Sequence, residues 1–133
     1  MKLRTFRDYI DDSGRNVITE WLHDLPMEAR LEINTRIQYL EVSDQLRRPD
    51  AAMLSGKCDG LFELRIRYKG IQYRPLACHG PARAQVTLLV GAIKKGNRFE
   101  PLSACDTAQK RKARIHEPGR TDEHSFAEPP ATS

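Results

Sequence analysis

The stretch that decides the fold is Leu61-Phe-Glu-Leu-Arg-Ile-Arg-Tyr68, followed by Lys69-Gly70 and by Ile71-Gln-Tyr-Arg-Pro-Leu-Ala-Cys78. Two runs with regular alternation, joined by a two-residue turn that contains glycine, predict an antiparallel β-hairpin. A turn at Lys69-Gly70 sets the register of the two strands. It places Arg67 opposite Gln72, and Arg65 opposite Arg74.

The alternation along this hairpin predicts one apolar face and one polar face. The residues predicted to face the core are Phe62, Leu64, Ile66, Tyr68, Ile71 and Tyr73. The residues predicted to face solvent are Glu63, Arg65, Arg67, Gln72 and Arg74. Like charges directly opposite each other in a sheet cost roughly 0.2–1 kcal/mol, so we expect a bound anion to relieve repulsion between Arg65 and Arg74.

The segments on either side of the hairpin complete an α+β pattern. Residues 3–10 predict a strand, residues 16–40 predict a hairpin of two amphipathic helices, and residues 43–60 predict a connector. Residues 85–93 are apolar on both faces and predict a central strand, and Pro101 opens a C-terminal helix. We therefore expect an N-terminal strand, a helix hairpin, a three-stranded antiparallel meander forming one curved sheet, and a C-terminal helix.

Length and charge predict one basic domain with an acidic tail. The chain has 133 residues and a formal net charge of +4, but residues 57–116 carry 13 basic and 4 acidic side chains. This surplus favours a polyanionic partner such as nucleic acid, with a solvated basic face as the alternative. Residues 1–116 are predicted to form the domain. Residues 117–133, with three prolines and little to bury, are predicted to be disordered.

The remaining composition argues against several classes of protein. No apolar run is long enough to cross a bilayer, which predicts a cytoplasmic protein without a membrane partner. Three cysteines, Cys58, Cys78 and Cys105, match neither a disulfide framework nor paired metal-ligand spacing and are predicted to be free thiols. We expect no metal site and no cofactor.

Several short motifs occur in order between residues 3 and 115. They are Leu54-Ser-Gly56, Gly60-Leu-Phe-Glu-Leu-Arg-Ile66, Tyr73-Arg74, the run from Leu88 to Ile93 followed by Lys94-Lys95, and Pro101 followed by Ala108 and Arg111. Together with the order of elements, this set resembles the RelE/HigB toxin superfamily, and more closely its phage-derived, HigB-like branch.

The resemblance implies a toxin of a type II toxin–antitoxin system. Such a toxin is a metal-independent endoribonuclease that cuts messenger RNA at the ribosome and so inhibits translation. It also implies a cognate antitoxin, of helix-turn-helix type, that covers the basic surface. Homo-oligomerisation is left open by the sequence.

The resemblance also assigns roles to residues. Arg74 is expected to hold the scissile phosphate with Arg65 beside it, and Lys94 or Lys95 is a candidate base because neighbouring cations lower the pKa of a lysine. Further RNA contacts are expected from Arg67, Arg98, Lys110 and Arg111.

One position matches the family but is predicted to be core packing, and two others differ from the family pattern. Tyr73 aligns with the family's tyrosine, but the alternation directs it to the core. Pro75 follows Tyr73-Arg74 and predicts a bulge because proline lacks a ladder donor. The C-terminal tyrosine or histidine of many relatives is not evident, and His79 and His116 are interpreted as surface residues.

Two alternatives remain open at this point. The first is a non-catalytic protein on the same scaffold, either a gyrase-inhibiting, ParE-like toxin or a protein that only binds antitoxin and operator. The second is an unrelated nucleic-acid-binding module.

Overall fold

The computed structural model describes residues 1–129. Its helices are α1 (Val17–His23), α2 (Met27–Val42) and α3 (Ala104–Lys112). Its strands are β1 (Thr5–Tyr9), β2 (Ala51–Met53), β3 (Phe62–Leu64), β4 (Ile66–Tyr68), β5 (Ile71–Tyr73), β6 (Leu76–His79), β7 (Gln85–Val90), β8 (Ile93–Lys95), β9 (Arg98–Glu100) and β10 (Thr121–Glu123). A short 3₁₀ turn spans Gly56–Cys58.

The strands form two sheets, so the predicted single curved sheet with a three-stranded meander is wrong. One sheet has six strands in the order β10-β1-β7-β6-β3-β2, and the other has four in the order β4-β5-β8-β9. Strand β1 runs parallel to β7, and the other pairs are antiparallel. The fold is still α+β, but it contains more sheet than the sequence indicated.

Three of the extra strands arise because both strands of the hairpin and the central strand are divided, and the others, β2, β9 and β10, lie in segments that were not predicted to be strands. The first strand of the hairpin breaks at Arg65 and the second breaks at Arg74 and Pro75, where proline supplies no ladder donor. The predicted bulge lies next to this break, between Leu76 and Ala77. The central strand breaks at Gly91, where an added Cβ would lie 1.9 Å from the Trp21 ring. Only glycine fits beneath that ring.

The tip of the hairpin has the predicted register. Ile66 pairs with Tyr73 and Arg67 with Gln72. The turn residues Lys69 and Gly70 have φ values of 49° and 80°, the conformation that a tight two-residue hairpin requires.

Two cores lie on opposite sides of the six-stranded sheet. Helices α1 and α2 cover the larger one, whose members include Phe6, Ile33 and Leu64. Helix α3 covers the smaller one, which includes Leu89 and Ala108. Because β3 alternates its side chains, Glu63 lies on the face opposite Phe62 and Leu64. Glu63 is nevertheless buried, so the prediction that it is exposed is wrong.

The predicted connector and the cysteines also differ from expectation. Residues 43–60 contain β2 and the 3₁₀ turn. Cys58 and Cys105 form a disulfide with a Cα–Cα distance of 5.0 Å, which ties the turn to α3, so these two are not free thiols. Cys78 is free, and burial raises its pKa to about 11.

The segment after α3, for which the composition predicts disorder, contains a strand and a buried histidine that pack against the domain. Strand β10 pairs with β1 at the edge of the six-stranded sheet. Next to it, buried His124 lies with Nδ1 2.7 Å from Asp8 Oδ1 and Nε2 2.8 Å from Asn34 Oδ1. Residues 130–133 lie outside the described residues. No helix within residues 1–129 is long and apolar enough to span a membrane.

Candidate nucleic-acid interface

A basic cleft lies where the two sheets meet. Its volume is about 360 Å³, and its lining residues are Pro49, Arg65, Ile66, Arg67, Gln72 and Arg74. Arginine is suited to bind phosphate because its planar guanidinium offers parallel N–H donors and stays charged. We call this site the arginine cleft.

The strand breaks position the two inner arginines of the cleft. The Arg65 backbone N–H leaves the hairpin ladder and donates to Asp50 O at 2.8 Å, while that of Arg74 donates to Ala92 O at 2.8 Å. Both residues therefore lie in the bend between the sheets rather than in a regular strand. The bend is built from local sequence, because Pro75 adjoins one of the breaks.

A buried carboxylate joins these arginines. Glu63 Oε2 accepts from Arg65 Nε at 2.9 Å and from Arg74 Nη1 at 2.7 Å, and only 2% of the Glu63 side chain is exposed. Arg74 Nη2 also donates to Gln72 Oε1. The repulsion expected between Arg65 and Arg74 is therefore offset by a negative charge between them. The expectation that Glu63 faces solvent is wrong.

A row of directly paired residues extends the cleft across the four-stranded sheet. Arg67 pairs with Gln72, Gln72 with Lys94, and Lys94 with Phe99. Directly opposed residues share one face of a sheet, so these four side chains lie side by side. Lys94 Nζ lies 4.3 Å from the centroid of the Phe99 ring. The row places a cation and an aromatic ring, which can stack on a nucleobase, beside the arginines.

Phe99 was missed by the sequence reasoning. The sequence pattern assigns no strand to residues 94–98, but Lys95 pairs with Arg98 across a tight β8–β9 hairpin. The sequence does contain a signal for this hairpin, because Gly96-Asn97 is a turn dipeptide between the short segments that form β8 and β9.

Two predicted site residues lie on the other face of this sheet. Lys95 and Arg98 alternate with Lys94 and Phe99 and so point away from the arginine cleft. Lys95 Nζ forms an ion pair with Glu100 Oε2 at 2.8 Å. Of the two candidate lysines, the structure brings only Lys94 to the face that carries Arg67.

The two predicted contacts on α3 line a different cavity. Lys110 and Arg111 border a space of about 220 Å³ together with Tyr9, Asp11, Asp12, Thr107 and Arg114. Arg111 Nη1 donates to Leu89 O at 2.7 Å, and its guanidinium lies 5.4 Å from the centroid of the Tyr9 ring. Burial lowers the pKa of Arg111. Its contacts are those of a residue that fastens α3 to the sheet.

The other residues considered for acid or base chemistry lie outside the cleft. Tyr73 is 2% exposed and packs edge-on against Trp21, as its alternation predicted. His79 lines a separate cavity of about 400 Å³ beside β2, where its ring contacts Phe62. His116 is exposed just beyond α3. The lining of the arginine cleft thus contains no histidine, lysine or carboxylate, and Lys94 is the nearest base candidate along the paired row.

A search for metal-binding geometry gave no candidate. Among residues 1–129, no group of three or more histidine, cysteine, aspartate and glutamate side chains is arranged to hold a metal ion. The chemistry available in the cleft is that of guanidinium groups, one amide and a neighbouring ammonium.

Comparison with known proteins identifies the family. Residues 20–113 match the family model described as phage-derived protein Gp49-like (DUF891). No curated protein matches the chain. The matched segment includes all four residues of the paired row and both inner arginines. This family is a toxin–antitoxin-type toxin family, which implies an antitoxin as partner. The chain belongs to the Gp49-like family, within the RelE/HigB-like superfamily.

Proposed function

We propose that this protein is a HigB-like toxin that cuts messenger RNA on the ribosome, in the cytoplasm, and that the arginine cleft holds the phosphate at the cleaved bond. The observation that carries the proposal is the free edge of Arg65. Its Nη1 and Nη2 atoms donate to no other group in residues 1–129, and its side chain is 31% exposed at the mouth of the cleft.

The chemistry of the cleft fits RNA cleavage by the 2′-hydroxyl. The 2′-oxygen loses its proton and attacks phosphorus, the bond to the 5′-oxygen breaks, and that oxygen takes up a proton. The extra negative charge in the transition state lies on the phosphoryl oxygens, where guanidinium groups stabilise it. Arg65 and Arg67 supply this stabilisation, and Lys94 is the candidate proton acceptor.

The paired row supports an RNA ligand rather than an isolated anion. Arg67, Lys94 and Phe99 follow one another across the face of the sheet, so a second phosphate and a stacked base can be bound beyond the cleft. The same surface also attracts ribosomal RNA, because the attraction between a positively charged surface and RNA phosphates does not depend on the base sequence.

A second candidate is a toxin that binds its target without cutting it, as a gyrase inhibitor of the ParE kind does. The observation that favours it is the composition of the cleft, whose lining offers no group able to accept a proton at neutral pH. In that case, expression would arrest growth while messenger RNA stays intact.

Induced expression separates these candidates. The protein would be expressed alone, and growth and primer extension on abundant messages would be followed for wild type, Arg65→Leu and the control Arg83→Leu. Arg83 is exposed in the loop before β7 and forms no ion pair in the described part of the chain. We expect growth arrest with new 5′ ends for wild type and Arg83→Leu, and neither for Arg65→Leu.

Two results would contradict the proposal. Growth arrest without new 5′ ends would favour the toxin that does not cut RNA, and full toxicity of Arg65→Leu would show that the arginine cleft is not the functional site. Co-expression of an adjacent gene encoding a helix-turn-helix protein is expected to restore growth, because a covered basic surface cannot bind RNA.

A further inference from the structure

Glu63 is an unusual residue to find beneath a surface that binds phosphate. It lies in the middle of β3, where its neighbours across the sheet are Ala52 and Leu76. Its Oε2 atom accepts from both inner arginines, while its Oε1 atom is buried without a hydrogen-bond partner in residues 1–129. Leaving a buried carboxylate oxygen unpaired costs stability, so this arrangement is explained better by function than by stability.

The two arginines donate to the Glu63 carboxylate through different nitrogen atoms. Arg74 is 12% exposed and uses one nitrogen on Glu63 and another on Gln72. Arg65 uses only Nε, which lies at the side of the guanidinium, so its Nη1 and Nη2 edge points away from the carboxylate. This edge is the one that binds two phosphate oxygens in parallel. Glu63 therefore fixes the direction in which Arg65 presents its donors.

The carboxylate also reduces the charge of the cleft. Two guanidinium groups and one carboxylate leave a net charge of +1 at the bend. A bound phosphate is repelled by this carboxylate as well as attracted by the arginines, because the site is partly withdrawn from water.

We propose that Glu63 is the positioning residue of the arginine cleft, which orients Arg65 for the scissile phosphate at the expense of affinity for RNA. This inference rests on the proposed function and adds to it the group that sets the geometry of the phosphate contact. It predicts that binding and cleavage respond to loss of the charge with opposite signs.

The variant that tests the inference is Glu63→Gln. The amide keeps the size of the side chain, and its oxygen can still accept from both guanidinium groups, but without the negative charge these hydrogen bonds are weaker. Binding of a short RNA carrying 2′-O-methyl groups, which cannot be cleaved, should become at least about threefold tighter. Cleavage of messenger RNA in a purified translation system should become at least about tenfold slower, because a neutral amide holds Arg65 less firmly than the carboxylate does.

The matched control is Glu41→Gln. Glu41 is also a buried glutamate, with 4% of its side chain exposed, and its Oε2 accepts from the Phe6 backbone N–H at 3.1 Å. It lies at the end of α2 and takes no part in the arginine cleft. We expect Glu41→Gln to change the melting temperature without separating RNA binding from cleavage.

A second variant keeps the test decisive if Glu63→Gln does not fold. Arg65→Lys retains the charge on an exposed side chain but lacks the planar fork that Glu63 orients. It should bind the 2′-O-methyl RNA within about threefold of wild type and cleave at least about tenfold more slowly. Wild-type cleavage by Arg65→Lys would show that charge alone is needed, and would overturn the inference.

The remaining outcomes are also decisive. Parallel loss of binding, cleavage and melting temperature in Glu63→Gln would make Glu63 a structural residue, and unchanged cleavage would remove its positioning role. If wild type itself does not cleave, the proposed function fails, and the binding measurement still decides on Glu63. A Glu63→Gln protein that binds no more tightly than wild type then overturns the inference as well.

Discussion

Two clusters of arginines and carboxylates differ in how they use the same chemical groups. The inner cluster is Glu63 with Arg65 and Arg74 at the bend between the sheets. The outer cluster, beyond the end of α3, consists of Arg114 and Arg120 with Asp12 and Glu117. In the outer cluster, Arg114 Nη2 lies 2.8 Å from Asp12 Oδ1 and 3.0 Å from Glu117 Oε1.

Exposure and charge balance separate the clusters. Asp12 is 73% exposed and Glu117 is 48% exposed, whereas Glu63 is 2% exposed. The outer cluster pairs two arginines with two carboxylates and has no surplus charge. The inner cluster has one positive charge left over and a guanidinium edge facing a cavity. A solvent-exposed cluster whose charges sum to zero attracts an anion weakly. The surplus positive charge at the buried bend therefore distinguishes the inner cluster, as a binding site, from the outer one.

The largest expected effect comes from breaking the inner cluster. Arg74→Leu leaves the buried Glu63 with Arg65 alone, and we expect the free energy of unfolding to fall by about 2–4 kcal/mol. The repulsion between the two arginines that the sequence predicts is offset by the carboxylate between them, so removing either arginine weakens the cluster. Chemical denaturation of the purified protein measures the change.

The matched substitution in the outer cluster is Arg114→Leu. Its partners are solvated, so we expect only a slight fall in stability, much smaller than that of Arg74→Leu. Equal losses in Arg74→Leu and Arg114→Leu would mean that burial does not distinguish the two clusters.

A buried contact without arginine tests whether burial is the cause. His124 lies between Asp8 and Asn34, and His124→Ala removes both ring contacts. We expect the free energy of unfolding to fall by about 1–3 kcal/mol, because two buried polar groups lose a partner. The exposed neighbour Ser125 supplies the control Ser125→Ala, which should leave the unfolding midpoint unchanged. An unaffected His124→Ala protein would show that residues 121–129 do not stabilise the domain.

Arg67 lies in the arginine cleft, is exposed, and forms no ion pair with any residue of the described range 1–129. Its backbone pairs with β5, so replacing its side chain should affect RNA binding much more than stability. Arg67→Leu should change the free energy of unfolding by less than about 0.5 kcal/mol, as surface substitutions do, while weakening RNA binding. Equal RNA affinity of the variant and wild type would limit the site to the bend.

The smallest effect concerns acid stability of the outer cluster. The Arg114 guanidinium lowers the pKa of Asp12 and of Glu117, and the two carboxyls in turn raise the pKa of Arg114. A carboxyl with a lowered pKa in the folded state stabilises the fold above its ordinary value, which is 3.8 for aspartate and 4.5 for glutamate, and this contribution is lost as the pH falls through the lowered pKa.

The doubly neutralised variant Asp12→Asn, Glu117→Gln tests this sign. Near neutral pH, its melting temperature should lie slightly below that of wild type, and the difference should disappear once the pH falls below both lowered values. A difference that stays constant with pH would assign it to something other than ionisation of these carboxyls.

The hairpin shows how far sequence reasoning reaches. The turn at Lys69-Gly70 and the pairing of Arg67 with Gln72 follow from a two-residue turn and strict alternation, and both were predicted. Alternation separates the faces of a strand, but it does not say which face another element covers. Glu63 shares a face with Arg65 in the pattern, and the contacts that go with its burial include one from Arg74, 11 positions later in the chain.

The remaining differences also depend on contacts between distant residues. Cys58 and Cys105 are separated by 47 positions, so no local spacing marks them as a pair. Residues 117–129 have the composition of a disordered tail, and their contacts are with distant residues: β10 pairs with β1, His124 is buried beside Asp8, and Glu128 forms an ion pair with Arg30. The basic face was predictable as a whole, whereas its division between Lys94 and Lys95 required the β8–β9 register.

Salt dependence of RNA binding tests most directly whether the arginine cleft holds phosphate. Affinity for a 2′-O-methyl RNA would be measured over a range of salt concentrations for three proteins. These are wild type, a double variant that combines Arg65→Leu with Arg67→Leu, and the single variant Arg83→Leu. Each phosphate contact contributes about 0.7 to the slope of log affinity against log salt for a single strand. We predict that the slope of the double variant is shallower by roughly 1.4, or about 0.7 for each arginine, and that Arg83→Leu matches wild type. A double variant with the wild-type slope would show that RNA is bound elsewhere.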